Sequence, residues 1–266
     1  TTDRVGNSGY SPNDYSFVSG TSFSAPVVSG VIALMMEANP SLGYRDVQLI
    51  LAYSSRQIAS DTNTWKFNGA KNINGGGLHY DAETHNLGFG MVDAIAAVRL
   101  AESWKGVPLT SQNVIEVSAS VTQPKNIPDG SSYVSQSVRI DQNILVERVE
   151  LKVDIAHSYI GDLGILLTSP SGTNSWLIYK AGESSESPYG LSQNNINFTF
   201  NTVLSMGERS IGSWSLAVFD FVVGDFGTLN SWSINLIGRN ISDDDTYFYS
   251  DEYSGALFTD SSRSTL

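Results

Sequence analysis

Cysteine is missing from the 266 residues, so no disulfide staples the fold and no thiol serves as nucleophile or metal ligand. Positive charge is scarce: 15 Lys and Arg stand against 27 Asp and Glu, a formal net charge of −12. Nucleic acids and anionic membranes demand basic patches, and this balance argues against both as partners. It suits a secreted protein that tolerates salt, or one that draws cations. The absence of cysteine leaves the compartment open, because a domain with a good core needs no disulfides. The opening "TTDRVGNSGY" has no methionine and no basic-then-apolar leader, so we expect an internal piece of a longer translation product, cut, processed or truncated. No apolar run approaches the about 20 residues that a membrane span needs. What is present is ordinary globular material, 41% hydrophobic and 11% aromatic, with length enough for about two domains.

The stretch "SGTSFSAPVVSGVIALMMEANP" (residues 19–40) is the most informative. From Ala25 to Met36 nearly every residue is apolar or small, which predicts a helix buried on all sides. Pro26 suits its first turn, where a missing N–H costs nothing. Ser22 then sits at the helix start, where free backbone N–H groups attract negative charge and can hold an oxyanion. Ser or Thr in this position is also a common helix cap, a role open to Thr21 or Ser24.

Up to about Lys105 the chain reads helix-rich. "SLGYRDVQLILAYSS" offers Ser41 as a cap with Leu42, Val47, Ile50 and Leu51 at helical spacing. A Gly- and Asn-rich loop follows at 67–81, and "GFGMVDAIAAVRLAES" restarts a helix supported by Asp93. Beyond Gly106 the pattern changes. "VERVELKVDI" alternates through Val149, Leu151, Val153 and Ile155, the period of a half-buried strand. Short apolar segments recur at "LGILLT", "WLIYK", "INFTF", "WSLAVFD" and "WSINLIG" between turn residues, which predicts a β-sandwich or jelly roll. "GSWSLAV" and "NSWSINL" echo one another as two strands of one sheet would. Trp176, Trp214 and Trp232 read as core. Past Arg239 an acidic, Ser- and Tyr-rich tail begins, in which Asp243, Asp244 and Asp245 read as a solvated linker.

Chain order restricts what Ser22 can be. Its partners would be a His and an orienting carboxylate, yet His79, His85 and His157 all follow it. Ser-first order fits the nucleophile elbow of α/β-hydrolases, but Gly20-Thr21-Ser22-Phe23-Ser24 lacks that elbow's second glycine. "GTSFSAP" instead resembles the serine motif of the subtilisin-like peptidases, and the surrounding 1–55 is similar to the kexin and furin-like branch in particular. "HNLGFGMVDAIAAV" resembles that branch's closing Gly-x-Gly-x-x-Asp-Ala helix. "IAHSYIGDLGILLTSPSGT", "GERSIGSWSLAVFD" and "GDFGTLNSWSINLIG" resemble its P domain.

The resemblance implies an α/β fold class for residues 1–106, the C-terminal, helix-rich portion of a subtilisin-like catalytic domain. An all-β jelly-roll sandwich, the P domain, would occupy 107–239, and 240–266 would be a tail or the start of a further module. It implies a serine endopeptidase that cuts proteins or peptides after basic residues, secreted or extracellular, with Ser22 as catalytic nucleophile. Gly20 and Thr21 would shape the approach of substrate. The Ser22 N–H would join an upstream Asn in binding the oxyanion. The catalytic Asp and His, that Asn and most ligands of a structural calcium would lie in an N-terminal portion of the same domain, the chain's expected partner. A different class stays open on the same residues: a non-catalytic structural or binding fragment whose triad is unassembled.

The remaining polar clusters read as structural. His79 and His85, with Asp81 and Glu83 between them, lack metal-ligand spacing and read as exposed loop residues. His157 reads as a hydrogen-bonded residue in or near the β-core. Asp162, Asp220 and Asp225 fall in turns where a jelly roll could bind calcium, which takes six or more oxygens, of which these three carboxylates are the ones that can be named. Apolar residues left over on a sheet face of that domain would favour docking on the catalytic portion, whereas an aromatic strip in a groove would favour binding of carbohydrate or protein.

Overall fold

The computed structural model describes residues 20–58, 65–70, 77–82, 87–105, 107–130 and 132–241. It is mostly β, with three helices gathered at one end. Helix α1 (Thr21–Ala38) is followed by α2 (Tyr44–Ser54), an antiparallel pair β1 (Trp65–Phe67) and β2 (His79–Asp81), and α3 (Ala94–Ser103). Asp93 caps α3 by accepting from Ala96 N at 2.9 Å, as the sequence suggested. Helix α2 is capped by Gly43, not Ser41. Asp46 Oδ2 reaches back to Gly43 N at 2.8 Å, while Ser41 turns to Asn39 Oδ1 at 2.6 Å. Among the described residues the first part of the α/β expectation appears as helices and one antiparallel pair, without a parallel sheet.

Helix α1 departs from expectation. It begins at Thr21, four residues earlier than the apolar run, and buries only Val31 and Met35. Val27 is 61% exposed and Leu34 is 50% exposed. Helix α3 packs on one side of it, with Ala97 and Ala101 small enough for close approach, and nothing described covers the other sides. At 18 residues and mean hydropathy 1.4, α1 is long and apolar enough to cross a membrane by length and composition, which the reading of a short run had excluded.

The second part is a sandwich of two antiparallel sheets. Its strands are β3 (Ile115–Val121), β4 (Lys125–Ile127), β5 (Ser132–Ile140), β6 (Leu145–His157), β7 (Leu163–Thr168), β8 (Asn174–Tyr179), β9 (Ile196–Thr202), β10 (Gly212–Asp220) and β11 (Gly227–Arg239). One sheet has the order β5-β10-β7-β8; the other runs β3-β11-β6-β9, with β4 paired to β11. The alternation of β6 holds from Val149 onward, Val149, Leu151, Val153 and Ile155 all being fully buried, and it breaks only at the bulge near its start, where Val146 and Glu147 are both buried. The echoing segments lie in different sheets, as β10 and β11. Trp214 and Trp232 belong to the same core between the layers, because an inward-facing alternation suits either layer. Trp176 is not core: it is half-buried on the outer face of β8.

The two parts share buried contacts. Met206, from the connection before β10, joins the helical core with Met35, Ile50 and Leu100. Arg45, 3% exposed at the start of α2, directs all five of its N–H donors across the junction. Nε and Nη2 donate to Glu147 at 2.6 and 2.5 Å. Nη1 donates to Thr110 O and Asn113 Oδ1 at 2.8 and 2.9 Å. Nη2 also donates to Gly238 O at 3.0 Å. Asn68 makes a second junction, donating to Leu204 O and Met206 O at 2.8 and 2.9 Å. Its Oδ1 accepts from Ala70 N and Leu78 N.

Candidate active site

Ser22 occupies the second position of α1 and is exposed, as are Gly20 and Thr21. Gly20 is the N-cap, with φ 148° and ψ 151° and no side-chain cap bond. A residue with a Cβ rarely adopts that φ, so glycine is what lets the chain enter the helix there. Its carbonyl accepts from Phe23 N at 3.0 Å and Ser24 N at 3.4 Å. The N–H groups of Thr21 and Ser22 precede the first helical acceptor and have no backbone partner among the described residues. Neither Thr21 nor Ser24 is the cap that the local pattern allowed. The turn thus offers a hydroxyl beside those donors at the positive end of a helix, an arrangement suited to a negatively charged oxygen.

The described histidines lie elsewhere. His79 is on β2 and buried, not in an exposed loop, with its ring edge-on to Trp65 and Phe67 at centroid distances of 5.4 and 6.4 Å. The correction has a simple cause: pairing with β1 turns "HYD" into a strand whose three residues are all buried. Asp81 is buried beside it; His85 and Glu83 lie outside the described residues. His157 fits its structural reading, with Nδ1 2.8 Å from Tyr159 O and Nε2 3.3 Å from Asp220 Oδ2.

Asp162, Asp220 and Asp225 do gather around His157. Burial, followed by the charges of Asp220 and Asp225, pushes the Asp162 carboxyl above its usual range, against a lowering pull from His157. They do not fit a calcium ion. Asp220 is engaged by His157 and by Val222 N, and Asp225 accepts from Ser158 Oγ at 2.6 Å. Among the described residues no group of three or more His, Asp or Glu is arranged to hold a metal. The acidic positions 243–245 lie outside the described residues.

Beside α1 a cleft of about 1050 Å³ runs between the helices and the β-sandwich. Ser24, Val27 and Val28 line its α1 side, and Arg45 and Glu147 its far wall.

Two family models match the chain: the subtilase family over residues 2–90 and the proprotein convertase P-domain over 146–236. The first takes in α1, α2 and the β1–β2 pair; the second runs from β6 into β11. The chain belongs to the subtilisin-like peptidases, in their proprotein convertase branch. This subtilase chain is 37% identical to human proprotein convertase subtilisin/kexin type 6 over 234 residues, 82% of its own length and 22% of the relative's. It is 32% identical to furin-like protease 2 of Drosophila melanogaster, over 83% of the chain and 13% of that protein. It therefore spans less than a quarter of the length of these relatives. Among solved structures, a serine protease of Aeromonas sobria superposes with TM-score 0.68 at 25% identity, covering 86% of this chain and 45% of that one.

Sequence reasoning missed Arg45, Glu147 and Asn68. The helical spacing of Leu42, Val47, Ile50 and Leu51 assigns no role to Arg45, and "FNGAKN" reads as loop. Only the folded chain shows that Arg45 makes five hydrogen bonds to four residues and Asn68 four.

Proposed function

We propose that the chain is the nucleophile-bearing portion of a serine endopeptidase of the subtilisin and kexin type, together with its stabilising P domain. The observation that carries this reading is the position of Ser22. It is exposed on the second residue of a helix whose first two N–H donors have no partner among the described residues, inside the region matched to the subtilase family. In this reading Ser22 Oγ attacks the scissile carbonyl, and a His from a preceding portion of the catalytic domain takes its proton. The Ser22 N–H holds the oxyanion, a contribution of about 3 kcal/mol per donor in such sites. Gly20 and Thr21 border the substrate. Cleavage follows basic residues, to which a chain of net charge −12 is suited.

The preceding portion also covers the bare sides of α1, whose apolar residues need a partner of their own kind. A structural calcium belongs to that portion, since the carboxylates described here do not form its site. The division into catalytic residues up to 106, a jelly-roll P domain over 107–239 and a tail over 240–266 is part of the proposal, as is a secreted location.

Fluorophosphonate labelling of the purified protein, with the adduct mapped by mass spectrometry, tests this directly. Modification of Ser22, lost in Ser22→Ala, marks an activated nucleophile and an assembled triad. If the preceding catalytic portion is co-expressed and Ser22 still takes no label, the nucleophile assignment fails and the structural-fragment reading replaces it. Peptides with Arg, Lys or Ala before the cut then test specificity, with a preference of ~100-fold expected for the basic residues.

A further inference from the structure

The outer face of the β5-β10-β7-β8 sheet is unlike the rest of the surface. In register across the four strands lie Tyr133, Phe219, Gly164 and Tyr179. The next row is Ser135, Ala217, Leu166 and Trp176, and the one after it Ser137, Ser215, Thr168 and Asn174. The rings of the first two rows touch in an unbroken chain. Tyr133 meets Phe219 at 4.9 Å, Phe219 meets Trp176 at 5.3 Å, and Trp176 meets Tyr179 at 5.3 Å. Phe221 extends it, 5.2 Å from Tyr179 and stacked on Phe219 at 5.7 Å. Tyr133 and Tyr179 are 55% and 61% exposed. Gly164 is the floor: a Cβ there would come within 2.7 Å of the Phe221 ring and 3.1 Å of Trp176, so its missing side chain is what lets the rings lie down.

Beside the rings the third row is short, neutral and hydrogen-bonding. Ser137 and Ser215 hydroxyls lie 2.7 Å apart, and Thr168 donates to Asn174 at 2.7 Å. Among the described outward positions of these strands Arg139 carries the charge, and it is paired with Asp141. The outer face of the other sheet is the contrast, studded with Glu116, Arg148, Glu150, Lys152 and Asp154. In a chain of net charge −12, a face holding rings, hydroxyls and an amide without a carboxylate is matched to a neutral ligand. At the Trp176 end it opens on a recess of about 310 Å³, bordered by Lys66, Tyr80, Thr173 and Asn174.

We infer that this face binds a neutral oligosaccharide, whose flat C–H surfaces rest on Trp176, Tyr179 and Tyr133 while its hydroxyls exchange hydrogen bonds with the Ser, Thr and Asn row. Planar amphipathic rings provide large contact area at low entropic cost, and hydroxyls and amides both donate and accept, as sugar hydroxyls require. Aromatic rings also serve protein interfaces, but the cores of those interfaces are depleted in Ser, and here a full row of Ser, Thr and Asn borders the rings, which favours the sugar. The inference is independent of the peptidase reading, because it involves neither Ser22 nor its helix.

The test is affinity electrophoresis of the full chain in gels containing soluble hydroxyethylcellulose, galactomannan, xylan or β-1,3-glucan, with casein as the protein control. Retardation by at least one polysaccharide is expected, weakened ~10-fold or more in Trp176→Ala and largely kept in Trp176→Phe. Tyr133→Ser, on a half-exposed ring remote from the core, gives a second variant should Trp176→Ala lose its fold by near-UV circular dichroism. The inference is overturned if no polysaccharide retards the folded chain, if the variants are retarded as strongly as the parent, or if only casein retards it and the variants abolish that. In the last case the face belongs to a protein partner.

Discussion

Removing the carboxylate of Glu147 tests how the β-sandwich supports the helices. Arg45 and Glu147 are 4% and 10% exposed at their side chains, and the guanidinium has no donor left over. Glu147→Ala leaves a buried cation facing three neutral acceptors. Breaking a buried pair from one side costs about 3–5 kcal/mol. At about 2–4 °C per kcal/mol for a chain near this size, Tm should fall by roughly 6–20 °C. Arg45→Met leaves a buried carboxylate and should cost a similar amount. The double variant has no stranded charge, so it should be no worse than either single, a coupling of several kcal/mol. Urea unfolding, followed by far-UV dichroism for the helices and tryptophan fluorescence for the sandwich, gives all four corners of the cycle. Helical signal should be lost first in the single variants. Singles that cost under about 1 kcal/mol, or costs that simply add in the double variant, would refute the argument, because additivity is what uncoupled sites show.

Much of this fold was legible because it rests on periodicity. The strands from β6 to β11 announce themselves by alternation and turn residues, and α3 by Asp93 and its alanines. Periodicity was silent on partners. It could not say that the echoing tryptophan strands belong to opposite layers, since both simply face inward. It could not say that "HYD" pairs with "WKF" and buries His79. It read α1 as enclosed because hydropathy records what a helix face prefers, not what is available to cover it. Trp176 misled for a related reason: a tryptophan in a β-rich stretch is usually core, and only the rings of Phe219, Tyr179 and Phe221 show that it lies outside. For the candidate site, Ser22 was legible through its motif. The helix geometry adds the glycine cap and two N–H groups with no partner among the described residues, which no spacing rule specifies.

Two further variants probe the groups that pattern reading did not find. Asn68→Asp replaces an amide whose four hydrogen-bonding positions are all used by a group that cannot donate to Leu204 O and Met206 O. A loss of about 2–4 kcal/mol is expected in urea unfolding, and a loss under about 0.5 kcal/mol would mean that the second junction contributes little. Asp162→Asn reads the cluster around His157 through its pH dependence. The Asp162 carboxyl is held above its ordinary range, so the folded chain keeps that proton to a higher pH than the unfolded chain does. Its contribution to stability is full below the ordinary aspartate value of about 4 and is lost as pH rises through the raised value. Asparagine never ionises and escapes that loss. The variant should therefore outlast the parent near neutral pH and draw level with it near pH 4, measured as the difference in urea midpoint across the range. A difference that is flat with pH would show that Asp162 ionises as easily folded as unfolded. A difference that grows toward acid would show that His157 outweighs Asp220 and Asp225.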